Sequence, residues 1–170
     1  MSDWDNAVPP QRDYATIQLM RVPNSARLLG IAINTLLQGR TTHWDGRRTG
    51  PCPGTTCPMC RDGHIGRWHA YVPLFNQSSG KIFVVQLTAL AAGALQEEAQ
   101  RYKTLRGLLL QISRVKPRDN ARILIEARAL PVLPHDLPDP IDIPRFMASV
   151  WNSKPGFPDH NREPPPEPPK

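Results

Sequence analysis

The chain is poor in cysteine, in aromatic residues and in long apolar runs. Only 3 of its 170 residues are cysteine and 6% are aromatic, which excludes a disulfide-rich secreted scaffold. Its longest apolar runs, 87–95 and 105–112, are too short or too interrupted to cross a bilayer. The first residues have neither a basic start nor an apolar segment. We therefore expect no secretory signal and a cytoplasmic protein.

Acidic residues are also scarce, but only in the middle of the chain. Residues 27–130 contain 15 Lys and Arg against 6 Asp and Glu, whereas both ends have slightly more acid than base. A basic middle of this kind is typical of proteins that bind a polyanion such as nucleic acid. The alternative is an arginine-rich surface that serves only solubility.

Proline is abundant and unevenly placed. Of the 20 prolines, 12 follow Leu130. We predict a flexible arm at 1–13, one domain at 14–130 and a proline-rich tail at 131–170, in which only 143–151 resembles a helix.

Alternating apolar and polar residues predict a mainly β domain. A first strand, interrupted by glycine, precedes a long irregular loop; two strands, a helix that begins after Thr88, and two more strands follow. This order predicts an OB-fold-like five-stranded barrel with one helix between strands 3 and 4 and a zinc-binding loop between strands 1 and 2. The predicted strands are 14–22, 28–37 with a possible continuation through 40–44, 67–75, 81–87, 105–115 and 121–129, and the predicted helix is 88–103.

The three cysteines lie within nine residues of the irregular loop. Cys57-Pro-Met-Cys60 is a tight knuckle whose thiolates can face one ion, and Cys52 lies within reach. Zinc prefers four tetrahedral nitrogen or sulfur ligands in a closed structural site. The fourth ligand is a histidine, for which we favour His43; His64 is an alternative and His69, inside a strand, a weaker one.

Other uses of these cysteines fit the sequence less well. Proline and glycine between them make a poor apolar core, and no helix of the kind that opens with a redox Cys-x-x-Cys is predicted after Cys60. A catalytic zinc would need an open position and a nearby base, for which the loop offers only Asp45 and Asp62. We therefore predict a structural zinc and no enzymatic activity.

Basic and aromatic residues surround this loop and the strands after it, a combination that suits phosphate contact and base stacking. Some of the rings must fill the core; Trp68 shares the parity of Ala70, Val72 and Leu74 and is expected inside, with Tyr71 on the opposite, binding face. The candidate nucleic-acid-binding residues are Arg40, Trp44, Arg47, Arg48, Arg61, Arg67, Tyr71, Phe75, Lys81, Arg114, Lys116, Arg118 and Arg122.

The His43–Cys52–CysProMetCys–Arg67-Trp68 pattern resembles a family of largely uncharacterised bacterial and phage-associated small proteins over residues 20–130. It is also similar in plan to phage single-stranded-DNA-binding proteins that carry a His/Cys3 zinc within an OB domain. The resemblance implies sequence-tolerant binding of single strands, DNA in preference to RNA, with a zinc that shapes the binding lobe and does not react.

The C-terminal end departs from that plan. Many such phage proteins end in a strongly acidic segment that recruits partners, whereas this chain ends in proline with only Glu163 and Glu167 and a final Lys170. A proline-rich tail could instead be a docking peptide for a protein partner. The alternative function is accordingly a protein-interaction or assembly module that uses the basic barrel or this tail; we expect no membrane partner and no small-molecule substrate.

Overall fold

The computed structural model describes residues 16–152, which form the mainly β fold that the sequence predicts. The predicted arm at 1–13 and the tail beyond 152 lie outside these residues. Between residues 16 and 152 no helix is long and apolar enough to cross a membrane. The elements are β1 (Gln18–Arg21), β2 (Leu28–Ala32), β3 (Gln38–Trp44), β4 (Thr49–Pro51), α1 (Pro58–Arg61), β5 (Arg67–Asn76), β6 (Lys81–Thr88), α2 (Ala89–Tyr102), β7 (Leu108–Arg114), β8 (Ile123–Ala129) and α3 (Ile143–Asn152).

The strands form one mixed sheet of eight strands, which corrects the expected five-stranded barrel. Its main order is β1-β6-β5-β2-β7-β8, and β3 pairs with both β4 and β5. Only β1 and β6 pair in parallel, with Gln18 opposite Phe83. The outer strands β1 and β8 do not pair with each other, so the sheet stays open. A closed five-stranded barrel would need a free edge of β6 with which another strand could pair. Here β1 already pairs with that edge.

One face of the sheet is covered by α2. The hydroxyl of Thr88 accepts a hydrogen bond from the Ala91 amide at 3.4 Å, which confirms the predicted start of the helix. The helix ends at Lys103, whose φ of 59° is the left-handed conformation common after a last helical turn. Leu95 is buried among side chains of β5, β6 and β7, so this face holds the larger apolar core.

The other face is covered by α3, which the sequence placed in the tail. Phe146 and Met147 are buried against Tyr71, Phe75 and other residues of the sheet. The segment 143–151, expected only to resemble a helix, therefore provides the lid of a second apolar core.

A buried amide fixes the chain before α3. The side chain of Asn34 donates to the Ile141 carbonyl and accepts from the Ile141 amide, both at 2.8 Å. Arg106 adds a hydrogen bond to the Pro138 carbonyl at 2.9 Å. Both polar groups of the buried Asn34 side chain are paired, so this amide holds the segment at Ile141 in one position. Helix α3 therefore begins at a fixed point.

The expected burial of Trp68 and the expected exposure of Tyr71 are wrong, although Tyr71 does lie on the face opposite to Ala70, Val72 and Leu74. Trp68 is 39% exposed, whereas Tyr71, expected on an open binding face, is 3% exposed, and Phe75 is also buried. The sequence argument assumed that one face of β5 packs and the other is open. Because α2 and α3 cover opposite faces of the sheet, the side chains on both faces of β5 are buried from Ala70 to Phe75. Only the first residues of the strand are exposed.

Candidate metal centre

His43 is held on a strand that is paired on both sides. It lies opposite Gly50 of β4, and its neighbour Thr42 lies opposite Arg67 of β5. The hairpin between β3 and β4 is closed by Asp45, whose carboxylate accepts from the Arg48 amide at 2.7 Å and from the Arg47 amide at 2.8 Å. These backbone hydrogen bonds, with Arg48 first, hold the pKa of Asp45 below its ordinary value. The strand that carries His43 therefore has a fixed position.

The cysteine knuckle is built from tight turns. The Cys57 amide donates to the Gly54 carbonyl at 3.0 Å, and the Gly63 amide donates to the Cys60 carbonyl at 3.1 Å. Between them, the short helix α1 places residues 57 and 60 on one side of a single turn. Gly63 has a φ of 82°, a left-handed conformation that costs glycine little. The predicted loop is thus ordered by β4, a 3-10 turn at Gly54–Thr56 and α1.

Four side chains converge from these elements and could hold a metal ion. The donor atoms of His43, Cys52, Cys57 and Cys60 all lie within 4.8 Å of one another. Nε2 of His43 is 3.2 Å from Sγ of Cys60, and Sγ of Cys52 is 3.6 Å from the same sulfur. His43 and Cys57 are 4% and 3% exposed, so the cluster has an inner and an outer side.

The electrostatics of the three thiols favour a bound cation. Burial alone would raise the pKa of Cys57, but the backbone N–H groups of Cys60 and Met59 and the two neighbouring thiols hold it below its ordinary value. The Cys52 thiol, burial and the Cys57 thiol raise the pKa of Cys60 to about 11. Three thiols this close cannot all ionise in water alone, whereas a divalent cation among them stabilises the thiolates.

The other two candidate histidines do not join the cluster. His64 is exposed and follows the knuckle. His69 is half-buried on β5, with its Nδ1 3.0 Å from the Thr42 hydroxyl. Burial first, then the positive charges of Arg21 and Arg67, hold the pKa of His69 below its ordinary value. Of the three histidines, the structure brings only His43 to the thiols.

Gly66 also shapes the centre and was missed by sequence reasoning. A Cβ at position 66 would lie 2.6 Å from Cγ2 of Thr41 and 3.1 Å from Cε1 of His43. The imidazole therefore packs directly on this glycine. Nδ1 of His43 is buried and has no hydrogen-bond partner among residues 16–152, so the ring is oriented by this packing and by the contact of Nε2 with the Cys60 sulfur. In sequence, Gly66 resembles any other loop glycine.

The candidate nucleic-acid-binding residues fall into separate groups. We call residues 38–67 the metal lobe; its basic side chains are all exposed, and Trp44 is 42% exposed. Within the described chain, Arg48 alone among these arginines lies within ion-pair distance of a carboxylate, at 4.0 Å from Asp45. The basic residues of the metal lobe are Arg40, Arg47, Arg48, Arg61 and Arg67.

The remaining candidates lie elsewhere. Lys81 begins β6, and four more residues lie in or beside the β7–β8 hairpin, where Arg114 donates to the Val22 carbonyl at 2.9 Å and so braces the sheet. Tyr71 and Phe75 are buried, as described above. Lys81 and the hairpin group lie on elements outside the metal lobe, whereas Tyr71 lies beside Arg40 of that lobe. The hairpin group is Arg114, Lys116, Arg118 and Arg122.

Comparison with known proteins adds no relative. No protein-family model, no curated protein and no solved structure matches the chain. The resemblance to bacterial and phage-associated proteins therefore stays a prediction, and any functional conclusion depends on the site itself.

Proposed function

We propose that this protein binds single-stranded nucleic acid without catalysing a reaction, and that its metal lobe is the binding lobe. The supporting observation is that the lobe exposes five arginines, of which only Arg48 forms an ion pair with a carboxylate of residues 16–152. Cations without a carboxylate partner among these residues, beside an exposed indole, suit phosphate contact together with base stacking. We favour DNA over RNA on the resemblance alone, and paired oligonucleotides of the two types would compare them.

The metal that we propose is zinc. In a tetrahedral site with the usual zinc–ligand bond lengths, two sulfur ligands lie about 3.8 Å apart, and a nitrogen and a sulfur ligand lie about 3.6 Å apart. The 3.6 Å and 3.2 Å separations at Cys60 are compatible with these edges once the ion is present. Four protein donors would leave no coordination position for water, which supports a structural ion and a non-enzymatic protein.

The metal and the proposed binding surface are coupled through Arg40. Its guanidinium donates to the Cys52 carbonyl at 3.3 Å, and Arg40 is itself on β3, three residues before His43. An ordered metal loop would therefore hold this cation in place. Loss of the ion should lower nucleic-acid affinity without removing any contact residue.

A distant relation to the OB-fold is part of this proposal. β2 and β3 both pair with β5, through Ile31 and Thr41 among other residues, so they can be read as the two halves of one bent strand. Counted this way, β5 and β6 follow as strands two and three, α2 comes next, and β7 and β8 complete five strands. The parallel strand β1 and the hairpin strand β4 are then additions to that plan.

A salt titration tests the proposal. Binding of a fluorescein-labelled single strand is measured by anisotropy at low and moderate salt for the wild type, Arg47→Gln and Arg67→Gln. Each variant should weaken binding and lower the salt slope by about one. Arg128→Gln is the matched control, because Arg128 is exposed on β8 at the far edge of the sheet. No measurable wild-type binding at low salt contradicts the proposal.

The second candidate, which the sequence also offers, is a protein-interaction module. Ile65, directly after the knuckle, is 89% exposed and provides a position at which this candidate can be tested. A pull-down after nuclease treatment separates the two functions, since a protein partner that survives nuclease and is lost with Ile65→Ser supports the second.

A further inference from the structure

A groove of about 650 Å³ lies between the metal lobe and α3. β3 and β4 provide one wall through Gln38, Arg40 and Pro51, and α3 provides the other through Met147 and Trp151. This volume is in the range of sites that hold a small ring system. The C-terminal helix, which sequence reasoning assigned to the tail, is therefore half of a groove beside the metal centre.

Both walls are held in place. The ring of Trp151 packs edge-on against Tyr71, with centroids 6.2 Å apart, and the guanidinium of Arg40 lies 5.8 Å from the Trp151 ring centroid. Arg48 donates to the Trp151 carbonyl at 3.3 Å, which satisfies a carbonyl near the helix end. The end of α3 is thus bound to the metal lobe by two arginines, and the groove is preformed.

The groove has few polar groups. Tyr71 lines it and is 3% exposed, and Arg40 lines it while donating to the Cys52 carbonyl. Burial raises the pKa of Tyr71 to about 12, against a small opposing effect of Arg40, so the hydroxyl stays a neutral donor. Among residues 16–152, Arg40 is the only charged side chain that lines the groove, and no carboxylate of these residues lines it. The Tyr71 hydroxyl and the Arg40 guanidinium are therefore polar groups with which a ligand in this mostly apolar groove could pair.

We propose that this groove binds one nucleotide of the strand, with its base between β3 and α3 and its phosphate on Arg40. This inference rests on the proposed function. The apolar walls of Met147 and Trp151 exclude water from the base, the Tyr71 hydroxyl bonds a polar group on the base edge, and Arg40 pairs with the negative charge. An acidic ligand without a ring would leave the apolar walls unfilled, and a neutral ring would leave the cation unpaired.

Matched variants test the groove in the intact chain. The probe is a fluorescein-labelled oligothymidylate about 12 nucleotides long, and each variant is checked for fold by circular dichroism and for metal content. Arg40→Gln is expected to weaken binding about tenfold and Tyr71→Phe about threefold. Arg145→Gln makes the same charge change at an exposed position of α3 outside the groove. Tyr102→Phe removes a hydroxyl that bonds Ala127 on the α2 face. Both controls should change binding less than about twofold.

Ultraviolet cross-linking followed by peptide mapping gives a second readout. Adducts on Tyr71 or Trp151 support the proposal. Tight binding with adducts only elsewhere, and with both groove variants equal to their controls, overturns the groove but leaves the proposed function standing. Absence of wild-type binding at low salt ends both. If Arg40→Gln fails to fold, Tyr71→Phe decides the matter, because it keeps the ring and its packing.

Competition by thymidine monophosphate distinguishes the sources of the ligand: no displacement supports a nucleotide within a strand, and full displacement overturns it in favour of a free nucleotide.

Discussion

The metal lobe and the α3-covered face of the sheet are stabilised by different physical means. Between residues 38 and 67 the only buried side chains are those of Thr42, His43 and Cys57, so the lobe has almost no apolar core. The face under α3 instead buries Phe146 and Met147 against aromatic residues of the sheet. On our proposal, one small domain thus combines a lobe ordered by an ion with a half held by the hydrophobic effect, and loss of one should affect the other only through the contacts of Arg40 and Arg48 with Trp151.

The largest effect is expected from removing a donor of the metal lobe. Cys57→Ala deletes the buried thiol of the cluster, and structural zinc sites in small peptides contribute about 10–16 kcal/mol. We expect a loss on the order of 5 kcal/mol and rapid proteolysis between residues 45 and 66. Limited proteolysis and thermal unfolding measure both.

The control for this variant is Asp62→Ala, which removes an exposed carboxylate beside the knuckle that is outside the cluster. It should retain wild-type stability and protease resistance. Equal behaviour of Cys57→Ala and Asp62→Ala would mean that the lobe does not depend on an ion.

A second prediction sharpens the comparison from the apolar side. Phe146→Ala removes a side chain that is 1% exposed, and such truncations cost about 3–5 kcal/mol. Urea unfolding should show this loss while the protein keeps its metal. Leu36→Ala, at a position 73% exposed, should stay within about 0.5 kcal/mol of the wild type. Metal release from Phe146→Ala under native conditions would show that the two halves are not independent.

The smallest of the three effects concerns the junction before α3. Asn34→Ala leaves the amide and carbonyl of Ile141 buried without their partner, which costs about 1–3 kcal/mol. Asn24→Ala is the matched change, since its hydrogen bond to Asp119 lies on the exposed surface. Amide hydrogen exchange at Ile141 should accelerate in the first variant alone. Unchanged exchange at Ile141 would contradict the role given to Asn34.

The metal cluster was readable from sequence because its constraint is local and chemical. Three cysteines within nine residues, in a segment without apolar periodicity, leave few other ways to order the chain. His43 was favoured over His64 because a strand that feeds the loop fixes its entry. The structure brings His43 to the thiols and leaves His64 outside. Gly66 could not be found, since its importance arises only from the position of the His43 ring.

The sides of β5 and the role of α3 could not be read in the same way. Alternation along β5 separates Trp68 from Tyr71 but does not show that both faces of the strand are covered. That depends on α3, which follows β8 after a proline-rich segment that resembles a tail. The tertiary contact of Phe146 with the sheet decides it. The sequence predicts a strand at 14–22, which contains β1, but its parallel pairing with β6, which keeps the sheet open, could not be predicted because local pattern gives no pairing partner.

Metal analysis of the purified protein tests the central claim most directly, namely that four side chains hold one ion. Elemental analysis combined with thiol titration should find one zinc per chain in the wild type and in His64→Ala, and markedly less in His43→Ala. The three thiols should react only after the metal is displaced. Protein that is folded, contains no stoichiometric metal and titrates three free thiols at once would contradict the account.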